Sequence, residues 1–225
     1  MFPIRDNVPS RSFPIINLLL ISANIAAFFY ELSLGRNLEK FLLWHGLVPL
    51  KYSTPGMLAR IGPESYFLPF ISSMFLHGGW LHIISNLWVL HIFGNNVEDR
   101  LGHLRYLFFY LFCGLAASAA QLWASWGSPL PTIGASGAIA GIMGAYLLLY
   151  PWAKVLTLIP IFIFVRAVEI PASLFLLFWI LSQFYSGSLA LSGARHMGGV
   201  AWWAHIGGFI GGAVLLGLFL PRRRR

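Results

Sequence analysis

Long apolar stretches separated by short polar segments make up most of this chain. A helix needs about 20 mainly apolar residues to cross the hydrocarbon core of a bilayer. Segments near that length predict six membrane-spanning helices, at residues 13–30, 68–93, 101–123, 131–150, 171–184 and 200–220. The pattern therefore predicts an all-α, polytopic membrane protein.

Two further segments carry apolar residues without the length of a span. The first lies in the link 34–67, whose apolar residues 41–44, 47 and 48 predict a short helix lying in the outer membrane interface. The second, at residues 155–165, is β-branched and is interrupted by Pro160. We expect 155–168 to lie at the interface, although the same residues could form part of a longer, broken fifth span.

The composition supports a membrane protein independently of the spans. Of the 225 residues, 58% are hydrophobic and only 10% are charged, with a mean hydropathy of +0.74. Soluble domains carry about 25% charged residues. We expect one membrane domain over residues 1–225, with an N-terminal cytoplasmic tail at 1–12 and a basic cytoplasmic tail at 221–225.

The net charge is +8, and the basic residues that produce it are distributed as in a membrane protein. The arginines at 222–225 follow an apolar segment directly, where they would anchor to anionic lipid head groups. No basic stripe of the kind that binds nucleic acid is present, so no nucleic-acid partner is expected. Positive residues concentrate on the cytoplasmic side of membrane proteins. Both termini are predicted to be cytoplasmic, because that side then holds Arg5, Arg11, Arg100, Arg105, Lys154, Arg166 and the terminal run.

The N-terminal region resembles a secretory signal only superficially. Arg5 and Arg11 precede the first apolar stretch, but no convincing small-residue cleavage site follows, so we expect a retained first helix. No organellar presequence is visible, which favours a bacterial inner membrane. Cys113 is the only cysteine, so no intrachain disulfide is expected.

Several polar side chains interrupt the predicted spans, where they are costly and therefore candidates for function. His82 and Asn86 are four residues apart on the second span and share one helical face. The fourth span carries Ser136 and the sixth carries His205. Taken singly, each has a structural explanation, because a serine can bond to its own helix backbone and a histidine can bond to a neighbouring helix.

Glycines next to Ser136 and His205 favour a functional interpretation. Small residues four apart let membrane helices approach closely. This spacing relates Gly137 to Gly141 and Gly208 to Gly212, and Gly134, ahead of Ser136, is also expected to serve helix packing. Packing the two faces together would bring the hydroxyl and the imidazole within hydrogen-bond reach, as an activated nucleophile requires.

Acyl transfer also needs donors for the developing oxyanion. The backbone N–H of Ser136, the amide of Asn86 and the ring of His82 could supply them. Within the predicted spans, no acidic residue lies near the depth of Ser136 and His205, so a serine hydrolase built here would use a dyad without the usual carboxylate. The soluble nucleophile elbow, G-x-S-x-G, is excluded because Ala138 stands at its last position.

These motifs together resemble the rhomboid intramembrane serine proteases. The resemblance rests on His82-Ile-Ile-Ser-Asn86 and the preceding residues 75–81, on residues 94–99, on Gly134-Ala-Ser-Gly137, and on His205 with Gly208 and Gly212. It implies a compact six-helix bundle whose fourth helix begins inside a water-filled cavity. It also implies that Ser136 attacks the scissile carbonyl while His205 takes its proton. The implied oxyanion hole is His82, Asn86 and the Ser136 N–H. Transmembrane proteins would be cut near the outer surface, without metal or cofactor.

The chain departs from this family pattern at two places. Leu68-Pro69 replaces a Trp-Arg pair found in many members, and Ala140 replaces an aromatic ring that some members place against the base. Another group would then have to restrain His205, with Trp202 and Trp203 as candidates, and the sequence leaves its identity open. Residues 185–199, rich in glycine and serine, are expected to act with the fifth helix as a lid over the cavity.

Two other functions fit parts of the pattern. A catalytically inactive rhomboid-like chaperone or adaptor would have lost the serine or the histidine, and both are present. A proton-coupled transporter could use His77, His82 and His205 as a relay, but paired intramembrane carboxylates or repeats would be expected. The sequence leaves the oligomeric state open.

Overall fold

The computed structural model describes residues 2–161, 164–191 and 200–221. Its helices are α1 Ile15–Ser33, α2 Leu38–His45, α3 Pro49–Ser53, α4 Met57–Phe67, α5 Pro69–Ser72, α6 Trp80–Leu101, α7 His103–Ala124, α8 Ser136–Leu149, α9 Ala172–Leu191 and α10 Trp202–Phe219. Its strands are β1 Phe2–Asp6, β2 Lys154–Ile161 and β3 Phe164–Pro171. The basic tail at 222–225 lies outside the described residues.

Among the described residues, four helices are long and apolar enough to cross a membrane, namely α1, α7, α9 and α10. α8 is apolar but has only 14 residues. α6 has 22 residues and carries several polar and charged side chains. The prediction of several apolar membrane helices is confirmed, while the count of six spans stays a prediction.

α8 is the centre of the helix packing. Every residue from Gly137 to Tyr146 is buried. The side chains around it include large aromatic rings that are fully buried, such as Phe93, Tyr106 and Phe109. A helix buried on all sides in this way is held by its neighbours, so its first residue has a fixed position.

The predicted second span begins later than expected. Residues 68–93 were expected to form one helix, but Pro69 starts the short helix α5, and α6 begins only at Trp80. Residues 73–79 lie between the two, with a short 3-10 helix at Ser73–Phe75, and Gly78 and Gly79 precede α6; glycine is a poor helix former. The structure therefore places an irregular segment, which includes His77, immediately before α6.

The loop between α1 and α6 forms several short helices. α2 overlaps the short helix that the sequence predicted for this link, and α3 and α4 follow it. Leu47 exchanges both backbone hydrogen bonds with Thr132, at 3.0 and 2.8 Å. This pairing fixes the segment that leads into α8.

The all-α prediction was wrong for one part of the chain, because the described residues include a three-stranded antiparallel sheet in the order β1-β2-β3. β2 pairs with β3 from Lys154↔Pro171 to Ile161↔Phe164. The described part of 155–168 forms strands and not part of a longer, broken fifth span, while its location at the membrane interface stays a prediction. The physical reason is that β-branched residues favour strands, and the N-terminal residues supply a third strand.

The N-terminal segment is tied to the helices by side-chain contacts. Asp6 accepts hydrogen bonds from the Tyr146 hydroxyl and from Asn96 Nδ2. Burial raises the pKa of Asp6 above its ordinary value, and these two donors oppose that rise. The Trp88 ring nitrogen donates to the Pro3 carbonyl at 2.7 Å. β1 is thereby held against both α6 and α8.

The carboxylate of Glu98 holds the beginning of α1. Its two oxygens accept the backbone N–H groups of Ile16 and Asn17 at 2.9 and 2.8 Å. The first N–H groups of a helix lack intrahelical partners, and a negative charge there is favourable. Part of the segment 94–99 thus has a structural role in joining α6 to α1.

Candidate active site

Ser136 and His205 are 69 positions apart in the sequence and are in direct contact in the fold. Ser136 is the first residue of α8, and His205 lies in the first turn of α10. The Ser136 Oγ lies 2.8 Å from the His205 Nε2. Both side chains are half-buried, which leaves them partly accessible.

Glycines make this contact possible because they let α8 and α10 touch through their backbones. A Cβ atom on Gly208 would overlap the carbonyl oxygen of Gly137, and one on Gly212 would overlap that of Gly141. On its other side, Gly141 faces Cys113 of α7. Four of the glycines expected to serve helix packing, at 137, 141, 208 and 212, therefore lie at the interface between α8, α10 and α7, whereas Gly134 precedes α8 and faces His82.

Gly134 shapes the entry to α8. Its φ of +128° is in the range that favours glycine, and its N–H donates to the Ser73 carbonyl at 2.8 Å. A Cβ atom here would lie only 2.7 Å from the His82 Nε2. The missing side chain thus leaves room for the His82 ring close to Ser136.

The contacts of His82 define which of its nitrogens carries the proton. The Gly78 N–H donates to Nδ1 at 3.3 Å, so Nδ1 is an acceptor and the proton resides on Nε2. This Nε2 is the atom that faces Gly134. His82 therefore presents an N–H donor on the side where the serine lies.

Asn86 is buried and is held by His77. The Asn86 Nδ2 lies 3.0 Å from the His77 Nε2, and the His77 Nδ1 lies 3.3 Å from the Phe75 carbonyl. The carbonyl can only accept, so Nδ1 carries the proton and Nε2 accepts from Asn86. One N–H of the Asn86 amide is used in this way, and no acceptor among the described residues binds the second N–H.

Glu31 is an acidic residue that the sequence analysis did not connect with the site. Its carboxylate on α1 accepts the backbone N–H of His77 at 3.1 and 3.2 Å. It contacts that backbone rather than the imidazole of His205. Glu31 holds the backbone of His77, and the His77 ring in turn orients Asn86. α1 thus helps to position Asn86.

A cavity of ≈ 550 Å³ joins these groups. Ser136, His205, His82 and Asn86 all line it. The small residues Gly78, Val200 and Ala201 form part of its wall. The site can therefore hold a polar, extended group next to the serine hydroxyl.

His205 is restrained by a residue that the sequence analysis missed. The Gln183 Oε1 on α9 lies 2.8 Å from the His205 Nδ1. Of the two tryptophans that were expected to restrain this ring, Trp202 meets it edge-on with centroids 6.2 Å apart, whereas Trp203 packs against Trp123 and Phe184. A glutamine inside an apolar span was the signal that could have identified Gln183.

A second glutamine fixes the beginning of α10. The Gln121 Oε1 on α7 accepts the N–H of Ala204 at 3.1 Å, and its Nε2 donates to the Ser125 hydroxyl at 2.7 Å. An acceptor at this point satisfies one of the free N–H groups of the helix start. Gln121 thus fixes the backbone immediately before His205, while Gln183 holds the His205 ring.

The chemistry available to this site is acid–base and nucleophilic. Within residues 2–161, 164–191 and 200–221, no three His, Cys, Asp or Glu side chains are grouped so that they could hold a metal ion. The cavity offers a serine hydroxyl, an imidazole and a set of N–H donors.

The lid predicted at 185–199 is described only in part, since 185–191 belong to α9 and 192–199 lie outside the described residues.

Comparison with known proteins identifies relatives over most of the chain. Rhomboid protein 1, mitochondrial, of Saccharomyces cerevisiae is 28% identical over 84% of this chain and 52% of its own length. Rhomboid-like protein 11, chloroplastic, of Arabidopsis thaliana is 30% identical over 66% of this chain and 51% of its own length. Rhomboid protease GluP of Bacillus subtilis is 39% identical over 34% of this chain and 15% of its own length.

The chain spans about half the length of the first two relatives. These relatives come from mitochondria, chloroplasts and a bacterium. The model of the Rhomboid domain family matches residues 64–222, which include all the cavity groups described above. This chain belongs to the rhomboid family of membrane proteins.

Proposed function

We propose that this protein is an intramembrane serine endopeptidase that cleaves transmembrane protein substrates through an acyl-enzyme. The observation that carries the proposal is the 2.8 Å contact between the Ser136 Oγ and the His205 Nε2 inside a cavity lined by N–H donors. The family includes proteins named as proteases, GluP among them. An inactive rhomboid-like chaperone or adaptor would not need this contact.

The reaction follows from the positions of the hydrogens. The Ser136 Oγ attacks the scissile carbonyl carbon while the His205 Nε2 accepts the hydroxyl proton. The carbonyl oxygen becomes an oxyanion that can receive hydrogen bonds from the His82 Nε2–H, the Asn86 Nδ2–H and the Ser136 N–H. The imidazolium then donates its proton to the departing amine, and water from the cavity hydrolyses the ester by the reverse sequence.

The membrane placement we propose uses six spanning helices, α1, α6, α7, α8, α9 and α10, with both termini in the cytoplasm. α8 has 14 residues and is about 21 Å long at 1.5 Å per residue. The hydrocarbon core is about 30 Å thick. If α8 ends at the cytoplasmic surface, Ser136 lies roughly 9 Å below the outer surface, where water can enter through the cavity.

This depth defines the class of substrate. A peptide bond within a stable membrane helix has its carbonyl hydrogen-bonded and covered by side chains. Segments with glycine or other helix-destabilising residues near the outer surface can instead unwind into the cavity. We propose that α9 and the residues after it gate this entry, and that the protein works in a bacterial inner membrane without metal or cofactor.

The proposal is tested with purified protein in liposomes and a fluorescent membrane-spanning reporter with a glycine-containing outer segment. We expect cleavage within that segment, blocked by a fluorophosphonate and unaffected by a metal chelator. A protein that the fluorophosphonate does not label, or cleavage that persists after complete labelling, would contradict the proposal. Labelling is measured by intact-protein mass and so does not depend on the choice of reporter.

A further inference from the structure

Gln183 is a buried carboxamide on the packed face of α9. That face otherwise consists of apolar or small residues: Ala172, Phe175, Leu176, Ile180 and Gly187. Only 5% of the Gln183 surface is exposed. Burying an amide without hydrogen bonds is costly, so its partners indicate what it does.

The two ends of the Gln183 amide have different partners. The Nε2 donates to the Trp179 carbonyl at 3.1 Å and to the Ser182 hydroxyl at 2.9 Å. The Oε1 faces the His205 Nδ1 at 2.8 Å. The opposite orientation of the amide would place its oxygen against the Trp179 carbonyl, which is a second acceptor, so the neighbours select this orientation.

This orientation determines the tautomer of His205. An amide oxygen can only accept a hydrogen bond, so the His205 Nδ1 must carry the proton. The Nε2 is then unprotonated and can accept the proton of Ser136. A histidine in the other tautomer would present an N–H to the serine and could not act as its base.

α9 also supplies an aromatic ring beside the base. Trp179 lies one helical turn before Gln183, and its ring centroid is 5.7 Å from that of His205, with an interplanar angle of 34°. Ala140, one turn after Ser136 on α8, is fully buried and has no ring to offer. Both the hydrogen bond to the His205 Nδ1 and the tilted Trp179 ring beside the base therefore come from α9.

We propose that Gln183 is the positioning residue of the catalytic base, a neutral counterpart of the carboxylate in a catalytic triad. This inference rests on the proposed function, in which His205 acts as the base. An amide fixes the tautomer and the ring plane without placing a negative charge in the membrane. Because the contact comes from α9, His205 is correctly oriented only while α9 lies against α10.

The first test compares Gln183→Met, which keeps the shape but removes the acceptor, with Gln183→Glu, which keeps an acceptor oxygen. We expect Gln183→Met to lower kcat at least ~10-fold with KM within about twofold, since only part of the general-base contribution is lost. Gln183→Glu should restore most of kcat. A carboxylate beside the imidazole favours its protonated form, so the acidic limb of the pH–rate profile should move to higher pH.

The second test reads the tautomer directly, by nitrogen NMR of protein with ¹⁵N-labelled histidine. The His205 signals are assigned by their loss in His205→Ala. Wild-type protein should show protonated Nδ1 and unprotonated Nε2, and Gln183→Met should show a mixture. Wild-type kcat and pH profile in Gln183→Met, or an Nε2–H tautomer in the wild type, would overturn the inference. A wild-type protein with the expected tautomer but no cleavage would instead overturn the proposed function.

Discussion

Replacing Ser136 by alanine is expected to reduce cleavage of a membrane-spanning reporter by at least ~10⁴-fold, because the hydroxyl on which the proposed acyl-enzyme forms is removed. His205→Ala should cause a loss of similar size, since the hydroxyl is a weak nucleophile without its base. The two groups act as a unit, so the double variant should be no less active than either single variant. The measurement is the initial rate at saturating reporter.

Ser118→Ala is the matched control for this prediction. Ser118 is a buried serine on the neighbouring helix α7, and it has no place in the proposed chemistry. Its replacement should leave the rate within about threefold of wild type, as expected for a substitution outside the catalytic unit. Cleavage at a wild-type rate by Ser136→Ala would show that the nucleophile lies elsewhere. A further large loss in the double variant would show that the two residues act independently.

Gly208→Ala is expected to disrupt the site without touching either catalytic group. The added methyl would overlap the carbonyl oxygen of Gly137, which is backbone and cannot swing away. α8 and α10 must then separate, at a cost of ~1–3 kcal/mol in stability. A displacement near 1 Å between nucleophile and base can reduce the rate about 10²-fold. The checks are the cleavage rate and the thermal unfolding temperature in detergent.

Gly217→Ala is the control on the same helix. A Cβ at Gly217 meets nothing within 4 Å, so the same chemical change is made without a contact. We expect its activity and unfolding temperature to match the wild type, or the temperature to rise slightly, because alanine is the better helix former. If Gly208→Ala and Gly217→Ala had the same cleavage rate and unfolding temperature, the close approach of α8 and α10 would be shown not to matter for activity or stability.

Much of the site could be predicted because its residues violate the expected composition of a membrane helix. Ser136 and His205 stand next to glycines at intervals of four, and this pattern predicts close packing of two helices. His82 and Asn86 share a face by their spacing alone. The structure brings all four to one cavity. Their catalytic roles stay proposals that the experiments above address.

The restraint on His205 could not be derived from spacing. Because position 140 is alanine, another residue was expected to restrain the His205 ring. Nothing in the sequence, however, relates Gln183 to a histidine 22 residues later. That relation depends on how α9 is rotated and placed against α10. The glutamine itself was detectable, because an uncharged amide in a membrane helix also requires a partner.

The fold departed from the sequence prediction where hydropathy does not distinguish strand from span. Residues 155–161 are mainly apolar and include four β-branched side chains, and an apolar run of this length fits a strand, an interfacial segment or part of a span. Whether such a run forms a strand depends on a strand that pairs with it, and β1 at the N-terminus is one such strand. The late start of α6 has a local cause in Gly78 and Gly79, which the apolar count overlooked.

The most direct test of the central claim is the location of the covalent adduct that a fluorophosphonate forms in the membrane-embedded protein. Peptide mapping by mass spectrometry should find one adduct, on the Ser136 hydroxyl, and cleavage activity should fall in proportion to its yield. The adduct should form far more slowly in His205→Ala, in which the base is missing. An adduct on a different serine, or full cleavage activity with Ser136 completely modified, would contradict the account.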